Sequence, residues 1–253
     1  MNIVEKKGNR IGFVLNTNES LVNAIRRSVN EIPVVAIDEV EIHKNDSALY
    51  DEIISHRLGL IPIKSNRKLE VHDESSDGKK SLKSELQITL KAKGPCTVYS
   101  KDLKGDMEPV YDKIPIVLLT KDQELEILSF ARLGVGEKHS KFSPGLVYYR
   151  HASEIKIKNA DKAQEIINKI KDTLIDSPKG NVKNGDVLKS YMDVDYVESF
   201  LGEEKESPVE IKHGEEIVFF IESWGQIENK EIFSEAVKAL DKNLKEVLKA
   251  PKK

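Results

Sequence analysis

The feature that most constrains this chain lies near its C-terminal end, where Phe233, Val237, Leu240, Leu244 and Val247 follow one another at steps of 4, 3, 4 and 3 residues. That is the heptad step of a helix packing lengthwise along another helix. Between Lys230 and Lys249 such a helix would run ~30 Å at about 1.5 Å per residue, longer than a few strands of the same chain would cover. Ile232, Ala236 and Leu248 widen the stripe beyond a narrow seam. The pattern allows an ordinary helix lying on its own core, or a helix whose stripe is completed by another polypeptide. Because the stripe comes last in the sequence, its cover is expected from earlier elements or from a partner.

A second helical pattern lies near the start. Leu21, Val22, Ile25, Val29 and Ile32 share one side of a 3.6-residue period, with Asn23, Arg26, Arg27 and Asn30 on the other. Residues 18–31 are therefore expected to be helical, capped from Asn16, Thr17 or Asn18 and stopped by Pro33. A strand is expected at 34–42, then a short helix at 51–58 closed by Gly59. Residues 64–85 hold few large aliphatic side chains and read as a solvated excursion. Period-2 alternation predicts a strand at 86–92, and further strands at 97–100, 114–119 and 125–131 make the middle section β-rich. Beyond residue 153 a strand at 154–158, a helix from about 163 to 174 with Asp161 as cap, a Pro178–Gly180 turn, a weaker helix near 187–200 and a strand at 209–212 suggest a small α/β insert. A strand at 216–222 and a turn at Gly225 lead into the last helix.

Composition narrows the function classes. Forty Lys and Arg against 43 Asp and Glu give a net charge of −3, so binding of nucleic acid by bulk attraction is not expected. The single cysteine, Cys96, closes no intrachain disulfide and supplies no Cys-rich zinc or iron–sulfur site. No secretory signal pattern and no membrane-length apolar run is visible, so a cytoplasmic protein without membrane contact is expected.

A search for chemistry returns little. Gly134-Val135-Gly136 begins like a dinucleotide fingerprint, but His139 stands where its third glycine belongs. Gly180 and Gly185 have phosphate-loop spacing, yet Asp186 occupies the lysine position and would repel phosphate. Asp193 and Asp195 read as solvated acids. The six histidines, His43, His56, His72, His139, His151 and His213, show no metal-finger spacing. Cys96 follows Pro95 ahead of a strand and has no identifiable base. No catalytic residues are assigned, which favours a binding or assembly module over an enzyme.

Two blocks then carry a resemblance. Ser20-Leu-Val-Asn-Ala-Ile-Arg-Arg27 with Ile32-Pro-Val-Val-Ala-Ile-Asp-Glu-Val-Glu-Ile42, and Tyr50-Asp-Glu-Ile-Ile-Ser-His-Arg-Leu-Gly-Leu-Ile-Pro-Ile63, closely resemble the alpha-like subunits of multisubunit RNA polymerases. Gly94-Pro-Cys-Thr-Val98, Gly134-Val-Gly136 with His139-Ser-Lys-Phe-Ser-Pro144, and Phe220-Ile-Glu-Ser-Trp-Gly225 are similar to later blocks of the same family. The match is weakest between about 160 and 207, and within the family it is nearest to the archaeal D-type branch. The sequence reaches Lys253 soon after the long helix, so the DNA-binding C-terminal domain of the bacterial members is not expected.

The resemblance implies an α+β fold: a discontinuous alpha-like dimerisation domain (1–43 and 208–253), an inserted mostly β domain (44–153), and a small ferredoxin-like α/β insert (154–207). Relatives of that third segment often hold iron–sulfur clusters on cysteines, and some hold zinc in the middle section; those ligands are absent here, so no cofactor is expected. It further implies a non-catalytic assembly subunit of DNA-directed RNA polymerase. Leu21, Ile25 and Val29 with Phe233, Val237, Leu240, Leu244 and Val247 would pair with a small alpha-like (L-type) subunit. The pair would form the platform for the two large catalytic subunits, beside other small polymerase subunits. Arg26, Arg27, His56 and Arg57 are candidate contacts to the large subunits, against the simpler reading of plain surface charge. A free-standing dimeric scaffold outside the polymerase and a redox-responsive protein are the competing readings.

Overall fold

The computed structural model describes residues 2–65, 85–178, 180–201 and 207–249. In chain order the elements are β1 (Asn2–Lys7), β2 (Arg10–Leu15), α1 (Glu19–Ser28), β3 (Val34–Asn45), α2 (Asp51–Gly59), β4 (Ile63–Ser65), β5 (Glu85–Lys93), β6 (Cys96–Tyr99), β7 (Lys104–Gly105), β8 (Met107–Pro109) and β9 (Pro115–Leu119). They continue with β10 (Glu124–Gly134), β11 (Gly145–Ile157), α3 (Ala160–Ile170), β12 (Val187–Ser190), α4 (Val194–Glu198), β13 (Val209–Ser223) and α5 (Asn229–Lys249). The chain divides into two compact units, residues 1–26 with 147–222 and residues 27–146 with 223–253.

In the first unit a five-stranded sheet runs in the order β1-β2-β13-β11-β12. β2 pairs antiparallel with both β1 and β13, and places Phe13 opposite Phe219 in a buried, tilted ring contact. Gly12 permits the neighbouring pair: a Cβ there would lie 2.7 Å from the Phe220 ring, which stacks on Tyr148. α3 buries Ala163, Ile166, Ile167 and Ile170, the 3–4 spacing of an amphipathic stripe. Its cap is Asn159, whose side chain accepts from the Lys162 amide at 3.3 Å, so Asp161 is a first-turn acid instead of the expected cap. Ile155, Ile167, Leu174 and Val197 share one apolar core here.

Three expectations for this unit are corrected. The strand expected at 154–158 belongs to the 13-residue β11, and those expected at 209–212 and 216–222 are one 15-residue strand, β13. Gly214 lies between the two expected strands, and a Cβ there would meet Glu154 Cγ at 2.9 Å and Ala152 O at 3.0 Å, so its absence lets β13 lie close to β11. The helix expected near 187–200 is a strand, β12, followed by the five-residue α4. The small α/β segment thus continues directly from the end of the long strand β11.

In the second unit a four-stranded antiparallel sheet runs β3-β10-β5-β7, with small pairs β4-β8 and β6-β9 beside it. Its apolar face and α2 enclose a core containing Ile37, Ile54, Leu58, Ile88 and Ile127. α5 belongs to this unit and packs on the single 3-10 turn Val29–Glu31 that ends the first helical segment before Pro33. Asn243 Nδ2 donates to Glu31 Oε2 at 2.7 Å across that contact. Gln226, in the turn before α5, donates to both Val35 O and Ile63 O at 2.8 and 2.9 Å. The glycines of the rejected fingerprint have a packing role: a Cβ on Gly134 would meet the Phe142 ring at 2.8 Å, and one on Gly136 would meet Asn30 Oδ1 at 2.9 Å. The 64–85 excursion falls almost wholly on residues 66–84, and the 178–180 turn includes Lys179; both lie outside the described residues.

Candidate functional site

α5 is helical over 21 residues, yet only Ile232 and Ala236 are fully buried on it. Phe233 and Leu240 are half-buried. Towards the C-terminal end the stripe opens to water: Val237 is 40% exposed, Leu244 55%, Val247 72% and Leu248 84%. Six charged residues of the same helix pair along it, Lys238 with Glu235, Lys245 with Asp241 and Lys242 with Glu246. The apolar stripe is therefore left as the unmatched surface of the helix.

The first helix divides differently. Asn18 Oδ1 caps it, accepting from the Leu21 amide at 2.8 Å. Leu21 is 42% exposed, whereas Ile25 and Val29 are buried within the single chain. Arg26 is held by Asn23, whose Oδ1 accepts from Nε and Nη2 at 3.2 and 3.0 Å, and Arg27 is exposed.

α2 presents two apolar faces. Ile54 and Leu58 are buried, while Tyr50, Ile53 and Leu60 stand 80%, 47% and 52% exposed. Arg57 is spoken for: its Nε donates to Ile116 O at 2.8 Å and its Nη2 to Pro115 O, so its guanidinium fastens α2 to β9. His56 is exposed and lines an open cleft with Ile37, Asp38, Val40, Ser55, Gly59, Leu60, His139 and Lys141.

Beside that cleft lies a charged network that the sequence did not single out. Arg132 of β10 is 8% exposed and contacts Asp38 at 3.2 Å, Glu39 at 2.9 Å and Glu85 at 2.5 Å. Lys141 Nζ binds the other oxygen of Asp38. Burial opposes the charge on Asp38, but the hydrogen bond and charge of Lys141, joined by Arg132, outweigh it and hold the carboxyl below its ordinary range. The signal available in sequence was weak: an arginine within the alternating pattern of β10, with its carboxylates scattered over two other strands. At the far end of β10, hydrogen bonds from Lys44 and Lys93 draw Glu124 down to about 2.

Among the described residues no group of three or more His, Cys, Asp and Glu is placed to hold a metal ion, and no helix is long and apolar enough to cross a membrane. Cys96 is half-buried, its thiol directed at Lys93 O at 3.5 Å.

Residues 35–145 match the sequence profile of the RNA polymerase Rpb3/RpoA insert domain. DNA-directed RNA polymerase subunit Rpo3 of Pyrococcus furiosus is 35% identical over 246 residues, covering 94% of this chain and 91% of the relative. The chain belongs to the archaeal Rpo3 family. The Rpo3 of Thermococcus kodakarensis is 40% identical over 166 residues, 61% of this chain and 60% of the relative, and that of Methanocaldococcus jannaschii is 42% identical over 159 residues, 60% and 76%. Rpo3 is the D-type, alpha-like subunit, so the α+β fold with an inserted β domain is the family's, and the chain is an RNA polymerase subunit.

Proposed function

We propose that this Rpo3-family chain performs no chemistry and serves assembly: it heterodimerises with a small alpha-like subunit and, as a pair, carries the two large catalytic subunits of a cytoplasmic polymerase. The observation that supports this best is the run of exposed Val237, Leu244, Val247 and Leu248 on a helix most of whose charges pair along its own length. Four aliphatic side chains left in water on one stripe favour burial by about 1–2 kcal/mol each once a complementary helix covers them. Leu21, which is exposed, and Ile25 and Val29, which are buried, are proposed to serve the same partner. Neither cofactor nor direct nucleic-acid contact enters this reading, in keeping with one thiol in the whole sequence and a net charge of −3.

The test is native co-purification. Tagged chain should retain a small alpha-like subunit and both large polymerase subunits, and Val237→Asp with Leu244→Asp should lose them all. Recovery of a stable homodimer without polymerase subunits would support the free-standing scaffold instead.

A further inference from the structure

The Gly180/Gly185 spacing fails as a phosphate loop, yet the same stretch holds the one Asn-Gly step of the sequence, Asn184-Gly185. Residues 183–186 form a β-turn closed by the Asp186 amide, which donates to Lys183 O at 3.1 Å. Gly185 has φ +92° and Asn184 does not share that sign, so the turn is type II with glycine required at its third position. Both residues are exposed. Nothing stands within 4 Å of where a Gly185 Cβ would be, which leaves the Gly185 nitrogen sterically unhindered.

An unhindered amide after asparagine has a reaction open to it. Gly185 N gives up its proton and attacks Asn184 Cγ, the Cγ–Nδ2 bond breaks, and ammonia leaves a five-membered succinimide. Water then opens the ring. Attack at Cγ gives aspartate at position 184, and attack at the main-chain carbonyl gives isoaspartate, whose backbone runs through the side chain.

In the folded chain both reacting groups are engaged elsewhere. Asn184 Oδ1 accepts from the Ala160 amide at 2.6 Å, at the start of α3, and Gly185 N donates to Ile157 O at 2.8 Å, at the end of β11. Ile157 N donates to Asp186 O at 2.8 Å, and Lys183 N to Asp186 Oδ2 at 2.8 Å, so the turn is bonded on both flanks. Ring closure must break the first two bonds together, because a carbonyl holds the proton that Gly185 N has to lose and the Ala160 amide holds the side chain that has to swing.

We infer that Asn184-Gly185 is a latent site of spontaneous deamidation, latched by Ala160 and Ile157 and released only when the 183–186 turn opens. The two products differ in consequence. Aspartate keeps an oxygen for the Ala160 amide, whereas isoaspartate adds a carbon to the backbone and carries Gly185 N out of register with Ile157 O. Isoaspartate formation therefore loosens α3 from β11 without a way back.

Mass spectrometry with isoaspartate detection tests this on the full chain, incubated at mildly alkaline pH beside a free peptide spanning residues 181–187. The peptide should deamidate at position 184 about tenfold or more faster than the folded chain. Ala160→Pro removes the latching N–H at a position where a helix accepts proline, and should speed conversion several-fold; Ala160→Ser keeps the N–H and should not. Hydrogen exchange of the Gly185 amide in the wild type, followed in urea below the unfolding transition, should rise in parallel with the conversion rate. That comparison holds even where Ala160→Pro disturbs α3. A peptide that does not convert would overturn the site. Equal rates in peptide and chain, equal rates in the two Ala160 variants of unchanged circular dichroism, or a conversion rate that stays flat while the Gly185 amide opens would overturn the latch.

Discussion

At the scale of single residues, Arg132 and Arg57 are the side chains whose loss should be felt most. Arg132 is nearly inaccessible and faces three carboxylates, so Arg132→Ala strands Glu85, the most enclosed of them. Breaking a buried pair from one side costs more than the pair contributes; about 3 kcal/mol is expected, at the lower end of the usual range because Asp38 and Glu39 keep contact with water. Arg132→Met combined with Glu85→Leu should recover most of that loss, as measured by urea unfolding. Arg57→Ala removes two bonds to β9 carbonyls and should cost about 1 kcal/mol, which Arg57→Lys restores poorly because an ammonium lacks the fork. Asp38 adds a pH dependence whose sign is fixed by its lowered folded value. Its stabilising contribution is complete above the ordinary carboxylate range and disappears as pH falls through the folded value. Unfolding midpoints between about pH 6 and about pH 3 should fall less steeply in Asp38→Asn than in the wild type.

At the scale of elements, periodicity made the two long helices and the strands of the middle section legible. α5 follows its 4-3-4-3 apolar spacing over its whole length, and β5 and β10 alternate as a sheet with one wet face must. Failures came where side-chain identity and pairing disagree. β12 carries Val187, Leu188 and Lys189, a run that periodicity alone reads equally as helix, and only the antiparallel register with β11 decides it. β13 looked like two strands because polar Lys212 to Glu216 separate its apolar ends, yet Gly214 within that stretch leaves no room for a Cβ against β11. In the candidate surfaces the exposed stripe of α5 was visible, but burial of Ile25 and Val29 and the engagement of Arg57 by β9 depend on tertiary packing that spacing does not encode. One consequence belongs to α5 itself. Asn243 is half-buried beside the stripe and bonded to Glu31, so it sets how the helix lies on the 3-10 turn. Asn243→Leu should add apolar area yet weaken pairing with the small partner several-fold, because Glu31 loses its donor and the stripe loses its fixed rotation. Isothermal titration of the purified chains measures this directly, and tighter binding would show that the bond has no such role.

At the scale of the whole molecule, a formal charge of −3 on 253 residues leaves little long-range field, so each proposed contact must draw on local chemistry. The proposed pairing surface then has a predictable response to salt. The α5 stripe is aliphatic, and its neighbouring lysines and acids are paired along the helix at three and four residues' distance, leaving few charges for a partner to answer. Raising ionic strength from about 0.1 M to about 1 M shortens the screening length from about 10 Å to about 3 Å, which weakens exposed charge pairing while leaving apolar burial intact. If the proposed pairing through α5 holds, polymerase should accordingly keep the small alpha-like partner longest as salt rises, leaving the heterodimer as the salt-resistant core. Light scattering on size-exclusion fractions across that range distinguishes the orders of release. Release of the small partner first would mean that charge, and not the Val237/Leu244/Val247 stripe, holds the pair together.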